Sequence, residues 1–361
     1  MRGMVTLTLL AVILAGMLDA PPARAQATVT VDCASGDLVA DALTSTAPEL
    51  TVRIIGICAE DFEVTRDDVL FRGANPANDG FSWGGGDGSE VAFATVLVRE
   101  ARNIRFERLG FFDGSRNGLG VENTNSVEVD RCRFQNNERG IGASDSIVLV
   151  TDTVFVGNNL WDFGAFQGSF IDCTGCTTSG SQFSVLASSG GSVNVGGGTI
   201  EGNWGAVATG NGSSMFLDGT DITAASMGLS VERNAQMFVT NTTLDHAFQV
   251  VDDALLDMDG VTQTANPIDL NFINMGSTVR LRVSTSATGD TLLWSGAHLT
   301  IEDGAQLDGL LSCGKASDAY CEDPLLVLEG TVDCDACVSA AVARTPARTA
   351  WEPLVLPELI R

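Results

Sequence analysis

Apolar positions in this chain recur at two nested spacings. Val127, Val129, Cys132 and Phe134 reappear 21 residues later as Val148, Val150, Thr153 and Phe155. The same frame extends in both directions, with strand starts at Ile104, Val127, Val148, Ile171, Val193, Met215, Met237 and Leu256. Two residues after each start stand Phe106, Val129, Val150, Cys173, Val195, Leu217, Val239 and Met258. Apolar residues two apart describe a strand with one face turned inward. Seven after each start come Phe111, Phe134, Phe155, Thr178, Ile200, Ile222, Leu244 and Gln263, which no longer fit a period of two. The chain therefore turns between the two groups. Four after each start, where that turn falls, stand Arg108, Arg131, Asp152, Gly175, Gly197, Gly219, Asn241 and Gly260. Glycine and asparagine tolerate the left-handed backbone that a tight corner needs.

A second short ladder precedes the starts, clearest at four of the eight: "GLGV" at Gly118, "GIGA" at Gly140, "GAVA" at Gly205 and "GLSV" at Gly228. Each unit thus holds at least two short strands and a third side of variable length. A unit of about 22 residues cannot bury its own inner face, whereas stacked neighbours bury a continuous one. Each inward aliphatic side chain then contributes ~1.5–3 kcal/mol. About eleven coils at ~4.8 Å apiece predict a rod on the order of 50 Å long, with Val129, Val150, Val195 and Val239 in one internal column.

The pattern G-[LI]-x-[VA]…V-x-V-x-x-[CT]-x-F-x-x-N resembles the coil consensus of right-handed parallel β-helices of the pectate-lyase-like superfamily. The likeness covers roughly Thr28 to Val338 and is clearest from Ile104 to Gln263. It implies an all-β chain, a single-stranded right-handed parallel β-helix. The segment from Val31 to Gly73 also resembles the start of exported bacterial β-helix proteins, in which an amphipathic helix caps the first coil. Asp37 to Leu43 is the expected cap, with Leu38, Val39, Ala42 and Leu43 facing down the bore. Such a cap protects strand edges that would otherwise invite aggregation.

Residues 1–25 read differently. Arg2, the apolar run "VTLTLLAVILAGM" and a small-x-small site ending at Ala25 have the layout of a secretory signal peptide, too short to span a bilayer. The expected organisation is a leader over 1–25, the β-helix over 26–338 with its cap and first coil in 26–60, and a tail over 339–361. The location implied is secreted or periplasmic in a bacterium, with no membrane span in the mature chain. Formal net charge is −26. The leader carries Arg2 and Arg24 against Asp19, so the remainder carries −27. Such a surface repels nucleic acid, anionic lipid and uncomplexed polyuronates.

The superfamily acts on polysaccharides by several chemistries, but a fold does not assign one. The "NTDG" and "GHG" segments of polygalacturonase-like hydrolases and the "DPHD" of alginate-epimerase-like members are absent. The nonapeptide calcium repeat has only a shadow in "GGGDGSEVA", which starts at Gly84 and does not recur. Calcium rests on that segment alone; no cofactor and no metal cluster are identified. General bases are scarce: His246, His298, Tyr320 and Lys315 all lie in the C-terminal half. Between Gly140 and Ala343, 24 acidic residues face four basic ones.

Between Arg99 and Arg139 the balance changes, with eight arginines and seven carboxylates. Arg105, Glu107, Glu128, Asp130 and Arg133 alternate with inward residues, so they point outward on two adjacent coils. They fit either the anion-binding or catalytic face of a polysaccharide lyase or hydrolase, or a solvated cross-strand ion-pair network. Aromatic residues give a second candidate. Phe81 and Trp83 fall in a glycine-rich stretch over 73–92, and Trp161, Phe163 and Phe166 follow the Val148 coil. Rings on irregular loops either stack on sugars or fold down as lids.

Nine cysteines in an exported chain imply disulfides and at least one thiol left over. Cys33 and Cys58 bracket the cap and are expected to pair. Cys313 and Cys321 enclose a short loop, and "CDAC" holds Cys334 and Cys337. Cys173 and Cys176 lie about seven coils from that motif, or ~34 Å, too far to share a zinc ion. Cys132 reads as a small core residue. Leu354, Leu356, Leu359 and Ile360 in the tail suit either an end cap or a partner. The function expected is a non-catalytic extracytoplasmic scaffold or carbohydrate-binding protein, with polysaccharide or cell-envelope glycan as its expected partner. The alternative is a lyase or hydrolase working between Arg99 and Arg139.

Overall fold

The computed structural model describes residues 26–84, 94–264, 270–302, 304–314, 317–321 and 332–334. Fourteen parallel strands stack in chain order on the first face, from Gln26–Asp32 to Asp318–Cys321. The remaining described strands form one continuous sheet that supplies two further faces. A second face runs through Gly110–Phe112, Arg133–Gln135 and Val154–Val156, and a third through Asn117–Glu122, Arg139–Ser144 and Trp161–Phe166. At Thr199–Thr209 and Asp221–Glu232 the second and third faces fuse into single long strands. The chain is a parallel β-helix, as expected. Its coil count is higher, because fourteen strands on one face make thirteen steps rather than eleven. The additional coils lack the repeat's signature: Val279, Leu299 and Ala319 pair only 20 residues apart, and Ala287 and Leu307 stand where the coils from Phe111 to Phe155 carry phenylalanine.

The eight strand starts pair one with the next through the whole run. Val129, Val150, Val195 and Val239 lie in one internal column, each almost wholly buried. The corner residue has positive φ in every coil of that run, including Arg108 (54°), Arg131 (51°), Asp152 (47°) and Asn241 (49°). A non-glycine residue costs ~1–2 kcal/mol in that conformation. The packing on both sides outweighs it. Immediately beyond the corner, Cys132, Thr153, Thr220 and Thr242 are buried, and the hydroxyls of Thr153 and Thr242 donate to the carbonyls of Thr151 and Thr240. These carbonyls already accept from the backbone of the preceding coil (Arg131 N–H to Thr151, Gly219 N–H to Thr240), so the small hydroxyl side chains add a second hydrogen bond at the corner.

On the second face the rings of Phe111 and Phe134 stack at 4.4 Å, and those of Phe134 and Phe155 at 5.0 Å. Beside them runs a buried polar row. The Asn137 side chain accepts from Gly114 N–H (2.9 Å) and donates to Asn158 Oδ1 (3.1 Å). Asn158 donates to Asp162 Oδ1 (2.8 Å), and Ser181 donates to Asp162 Oδ2 (2.8 Å). Burial pushes the Asp162 carboxyl up to about 7, against the opposing pull of Asn158 and Ser181.

The cap is shorter than expected, a helix over Val39–Leu43. Val39 and Ala42 are buried, and Leu43 packs against the core. Leu38 does not face the bore. It is the extended residue before the helix (φ −105°, ψ 139°), and it is 49% exposed. Cys33 and Cys58 form the expected disulfide. Cys173 pairs with Cys176 across the corner at Gly175. Cys313 pairs with Cys334 rather than Cys321. Cys313 lies on the third face and Cys321 on the first, whereas Cys334 follows a strand stacked on that of Cys313. Cys321 is disulfide-bonded as well. Cys132 is a free, buried thiol whose pKa burial raises to about 12, so it stays protonated and inert. Residues 1–25, Cys337 and residues 339–361 lie outside the described residues.

Two tests follow from this packing. Phe134→Ala, which removes the centre of the ring stack, is expected to cost ~3–5 kcal/mol by chemical denaturation. Asp162→Asn is expected to change how stability depends on pH. A raised folded-state pKa gives stability that is full below the unfolded value of 3.8 and is lost as pH rises through about 7. The Asp162→Asn variant therefore gains stability relative to the parent across that window, and parallel curves from pH 4 to 8 would refute the assignment.

Candidate functional site

The first face places Arg105 opposite Glu128, and Glu107 opposite Asp130, in adjacent coils. It adds Arg72, one coil earlier and opposite Glu107. Arg72 Nε lies 2.6 Å from Glu107 Oε2, and Arg105 Nε lies 2.9 Å from Glu107 Oε1 and 3.3 Å from Glu128 Oε2. Glu107 points outward as expected, yet its side chain is only 9% exposed, because two guanidinium groups cover it. Arg131 closes on Asp130 at 2.5 Å. That hydrogen bond and charge hold the Arg131 guanidinium above its ordinary pKa. Arg133 does not join the group. It lies beyond the corner on the second face, where its Nε donates to Gln135 Oε1 (2.7 Å). These arginines and carboxylates are an ion-pair network in which Arg72, Arg105 and Arg131 are each engaged.

The aromatic candidates separate. Phe81 is not on a loop. The excursion after Gly73 re-enters the rod at Gly80–Ser82, between Ile57–Ala59 and Gly110–Phe112. Phe81 is fully buried there, 5.1 Å from the Phe62 ring and 5.5 Å from that of Phe111. Asp79 pins the re-entry by accepting from the N–H groups of Gly56, Ala74 and Asn75 (2.8–3.0 Å). Burial opposes its charge, but those hydrogen bonds keep its pKa below the usual value. Trp83 is 44% exposed. The stretch from Gly84 onward is described only at Gly84, so the calcium segment lies largely outside the described residues. Phe163 is core, while Trp161 and Phe166 sit on the outer side of the strand Trp161–Phe166.

Trp161 belongs to a larger constellation. On the third face Asn117, Arg139, Trp161, Phe183, Trp204 and Met227 are paired one to the next over six consecutive coils. All six are half-buried. The Arg139 guanidinium lies over the Trp161 ring at 4.4 Å, and the rings of Phe183 and Trp204 meet edge to face at 5.8 Å. Phe166 flanks Trp161 at 5.4 Å. At ~4.8 Å per coil the stripe is ~24 Å long. It rests partly on glycine. Gly120, Gly142 and Gly164 are in register, and a Cβ on Gly164 would come within 3.0 Å of the Phe166 ring and 3.2 Å of Trp161 Nε1. Bare backbone there lets these large side chains lie low on the sheet.

The sequence held a signal for the stripe. Asn117, Arg139, Trp204 and Met227 each stand immediately before one of the glycine-led quartets that mark the third face. Trp161 and Phe183 hold the same register before "DFGA" and "SVLA", where the leading glycine is replaced.

Among the described residues no group of His, Cys, Asp or Glu is arranged to hold a metal ion. Protein-family models and curated proteins give no match to this chain. Among solved structures, the catalytic domain of a GH87 alpha-1,3-glucanase in complex with nigerose is similar at a TM-score of 0.43 and 9% identity, over 88% of this chain and 69% of that one. Bacteriophage CBA120 tailspike protein 3 is similar at 0.42 and 13%, over 82% of this chain and 58% of that one. Likeness at this level is a likeness of winding and carries nothing about activity.

The network on the first face predicts a small response to mutation. Arg105→Ala is expected to shift folding by only ~0–1 kcal/mol by chemical denaturation, since Arg105 is half exposed and Arg72 still pairs with Glu107.

Proposed function

We propose that this protein is an extracytoplasmic, non-catalytic β-helix that binds a polysaccharide along its third face. The observation that carries this reading is the stripe from Arg139 to Trp204, with three aromatic rings in successive coils on a rigid sheet. Rings held half exposed at a fixed repeat offer apolar surface to sugar faces at little entropic cost. Sites on strands also hold their geometry better than sites on loops. Export is supported by the leader-like residues 1–25 and by the disulfides Cys33–Cys58, Cys173–Cys176 and Cys313–Cys334, which persist in oxidising compartments. A lyase or hydrolase on the first face has less behind it, because the candidate groups there are tied to one another.

Affinity electrophoresis against a panel of soluble polysaccharides tests the reading. Retention of the parent protein is expected without release of reducing ends or unsaturated uronate. Trp204→Ala is expected to weaken it about tenfold while the Tm hardly moves, because a half-exposed ring contributes more to binding than to the core. No retention by any polysaccharide would overturn the proposal.

A further inference from the structure

Three polar atoms on the third face have no hydrogen-bond partner among the described residues although each is buried: Asn117 Oδ1, Arg139 Nε and Trp161 Nε1. They belong to successive members of one register column, at one end of the aromatic stripe. An unpaired buried donor or acceptor carries a desolvation penalty, so three in a row is not a neutral arrangement. The other end of the column, Phe183, Trp204 and Met227, offers apolar surface. One acceptor and two donors beside a run of rings match a ligand with hydroxyl groups on its edges and C–H groups on its faces.

Charge narrows the class further. Arg139 is the only cation in the column, and it is already engaged: its guanidinium covers the Trp161 ring, and a terminal nitrogen lies 3.4 Å from Glu138 Oε1. From Gly140 to Ala343 the chain carries 24 acidic residues against four basic ones, so the part of the stripe from Trp161 to Met227 lies in a negative field. A uronate would meet repulsion along most of its length and find one occupied arginine. An uncharged sugar meets neither obstacle.

We infer that the third face takes a neutral polysaccharide lying parallel to the rod axis, with hydroxyl groups on Asn117, Arg139 and Trp161 and ring faces on Phe183 and Trp204. This rests on the carbohydrate-binding reading above and adds the ligand's class and direction. Drawing the three polar side chains outward to meet sugar hydroxyls gives each orphaned atom its missing partner.

The test is isothermal titration of the mature protein with neutral oligosaccharides (gluco-, xylo- and manno- series of increasing length) and with oligogalacturonate and oligoguluronate, at low and high salt. The expected result is binding within the neutral set alone, little changed by salt, with affinity rising until the oligosaccharide spans the stripe. Trp161→Phe keeps a ring but removes its N–H, and Asn117→Ala removes the acceptor. Each is expected to lower affinity about three- to tenfold, with Tm measured alongside to confirm folding. Binding of uronates alone, abolished by salt yet still weakened by Trp204→Ala, would overturn the neutral class and leave the glycan-binding face intact. Full affinity in both Trp161→Phe and Asn117→Ala, with Trp204→Ala impaired, would overturn the polar subsite. No binding in either set would overturn the glycan-binding reading itself.

Discussion

Everything in this molecule depends on one constraint: each coil must present its inward residues directly above those of the coil before it. Parallel strands hydrogen-bond only to their neighbours along the rod, and a slip of one residue would turn an entire inward set to solvent. Two devices hold the alignment. One is the left-handed corner, which appears at the same place in coil after coil even where arginine or aspartate must adopt it. The other is the column of stacked Phe111, Phe134 and Phe155, whose rings lock successive second-face strands together. The corner fixes where the chain turns, and the stack ties three successive second-face strands together in register.

The polar row from Asn137 through Asn158 to Asp162 and Ser181 shows the cost of that geometry. Where the chain passes from second face to third, backbone groups turn inward and away from water. Side-chain amides and hydroxyls satisfy them, each handing its remaining capacity to the next coil. A carboxyl at the end of such a row is buried, and burial makes it hold its proton unusually well even though both of its oxygens accept hydrogen bonds. The interior of this rod is therefore not uniformly apolar; it is a hydrocarbon column with one hydrogen-bonded seam.

The repeat was legible in the sequence because inward positions answer only to stacking, and stacking is periodic. The strand starts from Ile104 to Leu256 and the corner follow from it, while the Cys33–Cys58 bridge was legible from the two cysteines' place around the cap. Other features obey rules that local spacing does not express. Phe81 is in a glycine-rich stretch, yet Asp79 and the Gly56 carbonyl draw it back into the wall of the rod. Cys313 bonds a residue one coil away rather than the nearer Cys321, because stacking brings chain-distant residues together. Leu38 faces out because the helix begins one residue later. The arginines drew attention by their number, although opposing carboxylates pair with most of them. The stripe's members are spread along the chain from Asn117 to Met227, and only their shared place before the third-face quartets connects them.

The three aligned glycines at positions 120, 142 and 164 also bear on descent. A coil with bare backbone on its outer side is a blank tile: its inner side carries all the information for stacking, and its outer side carries almost none. Duplicating such a tile lengthens the rod without disturbing what is already written on its neighbours. Any large side chain that later arises one strand position away finds a level bed to lie on. The helix can thus acquire a surface one coil at a time, and the lineage of such a protein is expected to preserve its winding while rewriting its outside.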